Sequence, residues 1–173
     1  MKVTVLADNL DGESLKGEWG LSHFIEYKDK TVLLDTGLSG LFAENAEKLG
    51  IDLSAVDLAV LSHAHDDHAN GLDTFFEVNS SAPLYIAKGC RENCYDLVEG
   101  RYKYAGIPRG ILRRHADRII RAERRSRNDF FMTVFLSLNS LYNDTIKNFV
   151  TSRTIPLVFE WIHGIDLYPN TLP

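Results

Sequence analysis

Val56-Asp57-Leu58-Ala59-Val60-Leu61-Ser62-His63-Ala64-His65-Asp66-Asp67-His68-Ala69-Asn70-Gly71-Leu72 is the stretch on which the reading of this chain turns. Its first six residues are mostly apolar and partly β-branched, which reads as a short buried strand. Three of the chain's six histidines then fall within six positions. A metal needs several lone-pair donors within about 2.0–2.2 Å of one point, and imidazole and carboxylate suit zinc, iron or manganese. His63, His65, Asp67 and His68 offer four such donors. Side chains two apart share one side of an extended segment, whereas on a helix they stand roughly 200° apart. His63 and His65 are therefore expected on extended backbone at the carboxyl end of the strand, unlike the helical His-Glu-x-x-His of metalloproteases. Asn70-Gly71 breaks the chain before the next segment. A lone histidine here would read as a surface loop residue; three with two aspartates read as ligands.

The flanking sequence alternates between strand and helix patterns. Residues 2–7 read as a strand, and His23–Tyr27, the turn Lys28-Asp29-Lys30 and Thr31–Leu34 read as a hairpin. Leu41, Phe42, Ala46 and Leu49 recur at helical spacing within 39–49, and Gly50 ends that run. After the motif come an expected helix over Leu72–Val78, a strand over Pro83–Ala87 and a helix over Arg91–Val98. Cys90 and Cys94 stand four apart, a helical spacing and not Cys-x-x-Cys, so they read as two reduced, partly buried thiols. Strands and helices in alternation predict a layered α/β fold.

With 173 residues, 45% of them hydrophobic, the chain suffices for one core. Val3–Ala7 is too short an apolar run for a signal peptide, and no window approaches the ~20 apolar residues of a membrane span. The expectation is a protein of the cytoplasm with no membrane partner. Charge is uneven: residues 1–100 carry 7 basic against 18 acidic side chains, residues 101–127 carry 10 against 2. Ile111, Leu112, Ala116, Ile119 and Ile120 fit one helix face, leaving Arg113, Arg114, Asp117, Arg118 and Arg121 largely outside it. That face is either a solvated one or a guanidinium surface for a substrate phosphate or nucleic acid. His115 reads as a surface histidine of the same helix.

Ser62-His63-x-His65-x-Asp67-His68-x-x-Gly71-Leu72 resembles the His-x-His-x-Asp-His signature of the metallo-β-lactamase superfamily. Thr31–Gly37 is similar to the family's strand ending in Asp-Thr-Gly, and Trp19-Gly20-Leu21-Ser22 and Ala82-Pro83-Leu84-Tyr85-Ile86 agree. Within the superfamily the combination looks most like the dihydropterin-ribosyl-aminobenzene-phosphate synthase-like branch, over about residues 1–123. The resemblance implies an α/β metallo-β-lactamase-type αββα sandwich. Residues 1–123 would supply its N-terminal half, and residues 124–173 a divergent or truncated C-terminal segment. It implies two divalent metals, zinc first with iron or manganese as alternatives, His63 and His65 holding one, Asp67 and His68 the other. Such a pair brings the pKa of a shared water toward neutrality. Asp67 is the candidate catalytic residue, orienting that water. Asp35 reads either as a carboxylate that holds a ligand or loop by hydrogen bonds or as a plain turn aspartate. Diiron oxidoreductases of the superfamily usually carry a glutamate where this chain has His65, so the histidine favours hydrolysis. The implied activity is a metal-dependent hydrolase acting on a small-molecule substrate, with phosphorylated compounds among the candidates. The alternatives are a metal-binding remnant without turnover and a phosphodiesterase acting on nucleic acid.

From Arg124 onward the family pattern stops. The superfamily completes its site with a later histidine, a bridging aspartate and a final histidine. This chain instead gives Arg124-Arg125-Ser126-Arg127, then a stretch rich in Asn, Phe and Leu, with no glycine between Gly110 and Gly164. The tail reads either as an out-of-register or truncated second half or as a divergent cap with Phe130, Val134, Leu138 and Leu141 as a helical stripe. Leu157–Gly164 is an apolar run ending in His-Gly, which makes His163, with Asp166, a candidate to complete the site.

Overall fold

The computed structural model describes residues 1–122, which lie within a first unit spanning Met1–Arg125. The arginine run at 124–127, the stripe from Phe130 to Leu141, His163 and Asp166 lie outside the described residues. Strands β1 (Lys2–Ala7), β2 (Ser22–Tyr27) and β3 (Lys30–Leu34) form an antiparallel meander. The β2–β3 turn is the two residues Lys28-Asp29, since Tyr27 pairs with Lys30. Helix α1 (Leu41–Lys48) leads to β4 (Leu58–Val60), the strand read from the motif. The one-turn helix α2 (Asp66–Ala69) and α3 (Leu72–Val78) precede β5 (Leu84–Ala87). A hairpin follows, β6 (Tyr95–Val98) and β7 (Arg101–Tyr104), then the short α4 (Ile111–Arg114) and β8 (Ile119–Ala122). The main sheet runs β1-β2-β3-β4-β5-β8, with β3, β4, β5 and β8 mutually parallel. Parallel neighbours need crossovers, and α1 and α3 supply the first two.

One face of the sheet packs on the helices. Phe24, Leu33, Ala59, Leu84 and Ile86 from the strands meet Phe42 of α1 and Leu72 and Phe75 of α3 in one buried cluster. Full burial of each large apolar side chain contributes about 1.5–3 kcal/mol. The register places Val5, His23, Leu34, Val60, Tyr85 and Ile120 in one row on the opposite face. Behind the helices, Asn79 saturates a polar core. Its amide nitrogen donates to the carbonyls of Leu53, Ser54 and Val56, and its oxygen accepts from the amides of Ser81 and Ala82.

Two segments depart from the sequence expectation. Arg91–Val98 is not a helix: Tyr95–Val98 is the first strand of the hairpin. The turn decides it, because Glu99 and Gly100 both take positive φ, 51° and 76°, the conformation of two-residue hairpin turns. The helix expected across 111–121 ends at Arg114. The β-branched pair Ile119-Ile120 then adds β8 to β5, where sheet pairing outweighs helical periodicity. Among the described residues no helix is long and apolar enough to cross a membrane.

Candidate metal centre

The site begins where β4 ends. Leu61 is still paired, its amide donating to Tyr85, and the chain then leaves the sheet through Ser62, His63 and Ala64. His65 caps α2 in extended conformation, φ −73° and ψ 150°. His65 thus stands on extended backbone, whereas His63 and Ala64 lie in a bend rather than in the extended segment expected, and the following turn swings Asp67 and His68 back toward His63. One ligand atom from each of His63, Asp67 and His68 lies within 4.8 Å of the other two. The His63 and His68 ring centroids are 4.2 Å apart; His65 stands edge-on to His63 at 4.8 Å. The structure therefore brings three of the four expected donors into one group, with His65 beside it.

Asp35 organises this group from beneath. It follows β3 and is 1% exposed, with φ 58°, a left-handed conformation that aspartate tolerates better than most residues. Its Oδ1 accepts the Ser62 amide at 2.7 Å; its Oδ2 accepts the Ser62 hydroxyl and His68 Nδ1, each at 2.7 Å. The Ser62 hydroxyl has one proton, and the carboxylate takes it. His63 Nδ1, 2.9 Å from the same oxygen, must then be the donor. In the neutral form each ring then carries its proton on Nδ1 and leaves Nε2 available as a ligand atom. In His68 that nitrogen lies 3.7 Å from the Asp67 carboxylate. Of the two sequence readings of Asp35, the hydrogen-bonding one is what the structure displays. Ser62 was quoted in the motif without a role; its position between carboxylate and imidazole emerges only from the fold.

The electrostatics follow from this wiring. Burial, reinforced by the neighbouring His68, pushes His63 down to about 4, so at neutral pH it offers a lone pair and not a proton. His68 goes the other way. Burial works to depress it, but the hydrogen bond to Asp35 and the charges of Asp35 and Asp67 together hold it above the ordinary imidazole value. Neutral imidazole and ionised carboxylate are the forms that ligate metal. The donor set fits a divalent transition metal.

The neighbouring loop is fitted to the same turn. Leu21 donates its amide to the Asp67 carbonyl, and a Cβ at Gly20, whose φ is 132°, would come within 2.0 Å of that oxygen. Thr36 bonds the His68 carbonyl through both its amide and its hydroxyl.

The metallo-beta-lactamase superfamily model matches residues 20–144. The chain belongs to the metallo-beta-lactamase superfamily. Among its relatives, it is 33% identical over 98 residues to the anaerobic nitric oxide reductase flavorubredoxin of Aliivibrio salmonicida, covering 54% of this chain and 19% of that protein. An uncharacterized protein of Methanocaldococcus jannaschii is 31% identical over 75 residues, 43% of this chain and 29% of that one. The chain therefore spans less than a third of the length of these curated relatives. A solved metal-dependent hydrolase of the beta-lactamase superfamily superposes with a TM-score of 0.54 at 28% identity, over 72% of this chain and 42% of that one. The superfamily fold and the His-Asp-His group agree: this is a metal-binding fold with a matching candidate site.

Among the described residues, the others flagged in the sequence do not join this donor group. Arg118 is turned inward, donating to the carbonyls of Asn79 and Ala82 with its guanidinium 4.7 Å above the Phe76 ring. Arg114 pairs with Asp73, and Arg121 bonds the Cys90 carbonyl. His115 stacks on Phe76 at 3.9 Å. Three arginines read as outside a helix face therefore spend donors on the protein itself. Cys90 and Cys94 are free and half-buried, and burial pushes both thiols up, which makes them poor nucleophiles.

Proposed function

We propose that the chain is a metal-dependent hydrolase acting on a small-molecule substrate, phosphorylated compounds being among the candidates. The observation that carries this reading is the convergence of His63, Asp67 and His68, with both Nδ1 protons already spoken for by Ser62 and Asp35. His63 and His65 would hold one metal and Asp67 and His68 the other, with His63, Asp67 and His68 already gathered into one group. Zinc suits two or three imidazoles with a carboxylate, and iron and manganese accept the same donors. Divalent metal supplies Lewis acidity there, easing loss of a proton from water and polarising the bond under attack. Asp67 would orient the attacking water by accepting its hydrogen bond. Asp35 and Ser62 fix the ring tautomers, so neither imidazole has to reorganise during the reaction.

The flavorubredoxins are named for nitric oxide reduction, which raises an oxidoreductase reading. His65, where the diiron oxidoreductases of the superfamily usually carry a glutamate, weighs against it.

Metal analysis of the purified full chain is the deciding measurement. About two transition metals per chain support the two-metal hydrolase; one or none supports a binding remnant. His65→Ala should lower metal content, and unchanged content would remove His65 from the ligand set. Iron in place of zinc, with reduction of nitric oxide, would favour the oxidoreductase.

A further inference from the structure

The hairpin has two unlike faces. Cross-strand pairs Tyr95–Tyr104 and Leu97–Tyr102 share one face; Asp96–Lys103 and Val98–Arg101 share the other. The first face is aromatic and apolar, and its outer half is open to water, Leu97 being 66% exposed and Tyr102 80%. Arg109 belongs to the inner half of that face. Its guanidinium lies 4.1 Å from the Tyr104 ring centroid and 5.9 Å from that of Tyr95, and donates to the Tyr95 hydroxyl at 2.9 Å. The base is held rigid by Tyr104 donating to the Ile107 carbonyl and by Glu92 accepting the amides of Gly110 and Leu112.

That base is bonded directly to the metal loop. Asp66 donates its amide to Ala105, Ile107 donates to Ala64, and His65 and Gly106 form an antiparallel bridge. Residues paired in such a bridge turn their side chains to the same face. A Cβ at Gly106 would come within 3.0 Å of the Tyr104 hydroxyl and 3.1 Å of the Cys94 Cβ, so Tyr104 occupies the face toward which His65 points. The glycine leaves the room that lets the tyrosine close over the bridge. The aromatic face thus starts at a proposed metal ligand and runs outward along the hairpin, with one guanidinium near its root.

We propose that this hairpin is the substrate-gripping arm of the site, taking an anionic compound whose anion meets Arg109 and whose aromatic body lies against Leu97 and Tyr102. The assignment rests on the hydrolase reading above for what happens at the metal, but not for binding along the arm. Arg109 spends one donor on Tyr95 and keeps others for a phosphate or carboxylate, and its stacking on Tyr104 sets the direction in which they point. Tyr102 offers an open ring for stacking.

Phenylphosphonate and methylphosphonate, which differ only in the aromatic body, test this by calorimetric titration of the full chain loaded with zinc. The wild type should prefer phenylphosphonate about tenfold. Tyr102→Ala, a change at an open position that leaves folding untouched, should abolish that preference and spare methylphosphonate affinity. Arg109→Met should weaken both ligands about tenfold, with zinc content and melting temperature unchanged. Equal affinity for the two phosphonates in the wild type, or a preference that survives Tyr102→Ala, would overturn the arm. Should Arg109→Met fail to fold, the Tyr102→Ala titration decides alone. A chain that takes up no zinc would fail the hydrolase reading by itself, and the phenyl preference measured on that metal-free chain would still decide for or against the arm.

Discussion

Beneath the metal loop, Asp35, Ser62 and His68 are 1%, 3% and 8% exposed and are bonded to one another, whereas in the hairpin that the loop is bridged to, all four residues of β6 are exposed. The two regions are joined by the two backbone hydrogen bonds that make the His65–Gly106 bridge, yet their stability arises differently. The loop has no freedom to lose once folded, because each side chain that fixes a ligand is itself fixed. The hairpin is held at its base and open along its length, the arrangement of an element that meets other molecules. Rigidity sits at the candidate metal donors, and exposure sits beside it.

The largest effect should come from breaking the wiring. Asp35→Asn replaces an acceptor of three hydrogen bonds by an amide that presents a donor to the same partners. Leaving those buried groups unmatched should cost roughly 3 kcal/mol. Loss of the tautomer control should lower metal affinity tenfold to a hundredfold. Denaturant unfolding and competition with a chelator read the two effects separately. A variant that kept both wild-type values would show that the loop is held by its backbone alone.

Asn79→Ala asks whether such wiring belongs only to the metal loop. It strips the donor from the buried carbonyls of Leu53 and Val56 and the acceptor from the Ala82 amide, far from any ligand. A loss of about 2–3 kcal/mol with unchanged metal content is expected. A drop in metal content would mean that the helix side of the sheet is coupled to the site.

What could be read in advance divides along the same line. The candidate donors were legible because three histidines and an aspartate sit within six residues; the bend at His63-Ala64, which takes the place of a straight extended run, was not. The Asp35–Ser62–His68 wiring was not legible in full, since it joins positions 27 and 33 residues apart. The meander, α1, α3 and β5 followed their patterns. The hairpin was not legible because Cys90 and Cys94 stand at helical spacing; the positive φ of Glu99 and Gly100 is what separates strand from helix there. Arg118 departs from its reading for a related reason: a charged side chain expected on an outer helix face is a half-buried donor to Asn79 and Ala82.

Asp57 extends the comparison to a half-exposed setting at the far end of the sheet. Its carboxylate accepts from Lys30 Nζ and from the amide and hydroxyl of Thr31, each at 2.8–3.0 Å. The hydrogen bond from Lys30, followed by that from the Thr31 amide, holds its pKa below the ordinary carboxylate value. A depressed carboxylate stabilises the fold above its unfolded pKa, near 4, and that contribution fades as pH falls through the folded value. Asp57→Asn should therefore cost about 1 kcal/mol at pH 7. The gap to wild type should narrow below about pH 4, as urea midpoints across pH would show. A gap independent of pH would assign the effect to shape and not to charge.

The smallest effect is expected on the hairpin. Leu97 is 66% exposed and pairs only with Tyr102, itself more exposed. Leu97→Ser should leave unfolding free energy within about 0.5 kcal/mol of wild type, because surface substitutions away from buried features rarely exceed that. The same substitution at Leu33 or Leu84, fully buried on the sheet, would cost several kcal/mol. If Leu97→Ser instead cost more than about 1 kcal/mol, the outer hairpin face would have to be covered in the intact chain. The contrast between a wired loop and an open arm would then fail at its second half, and the aromatic face would belong to the protein's interior and not to its ligand.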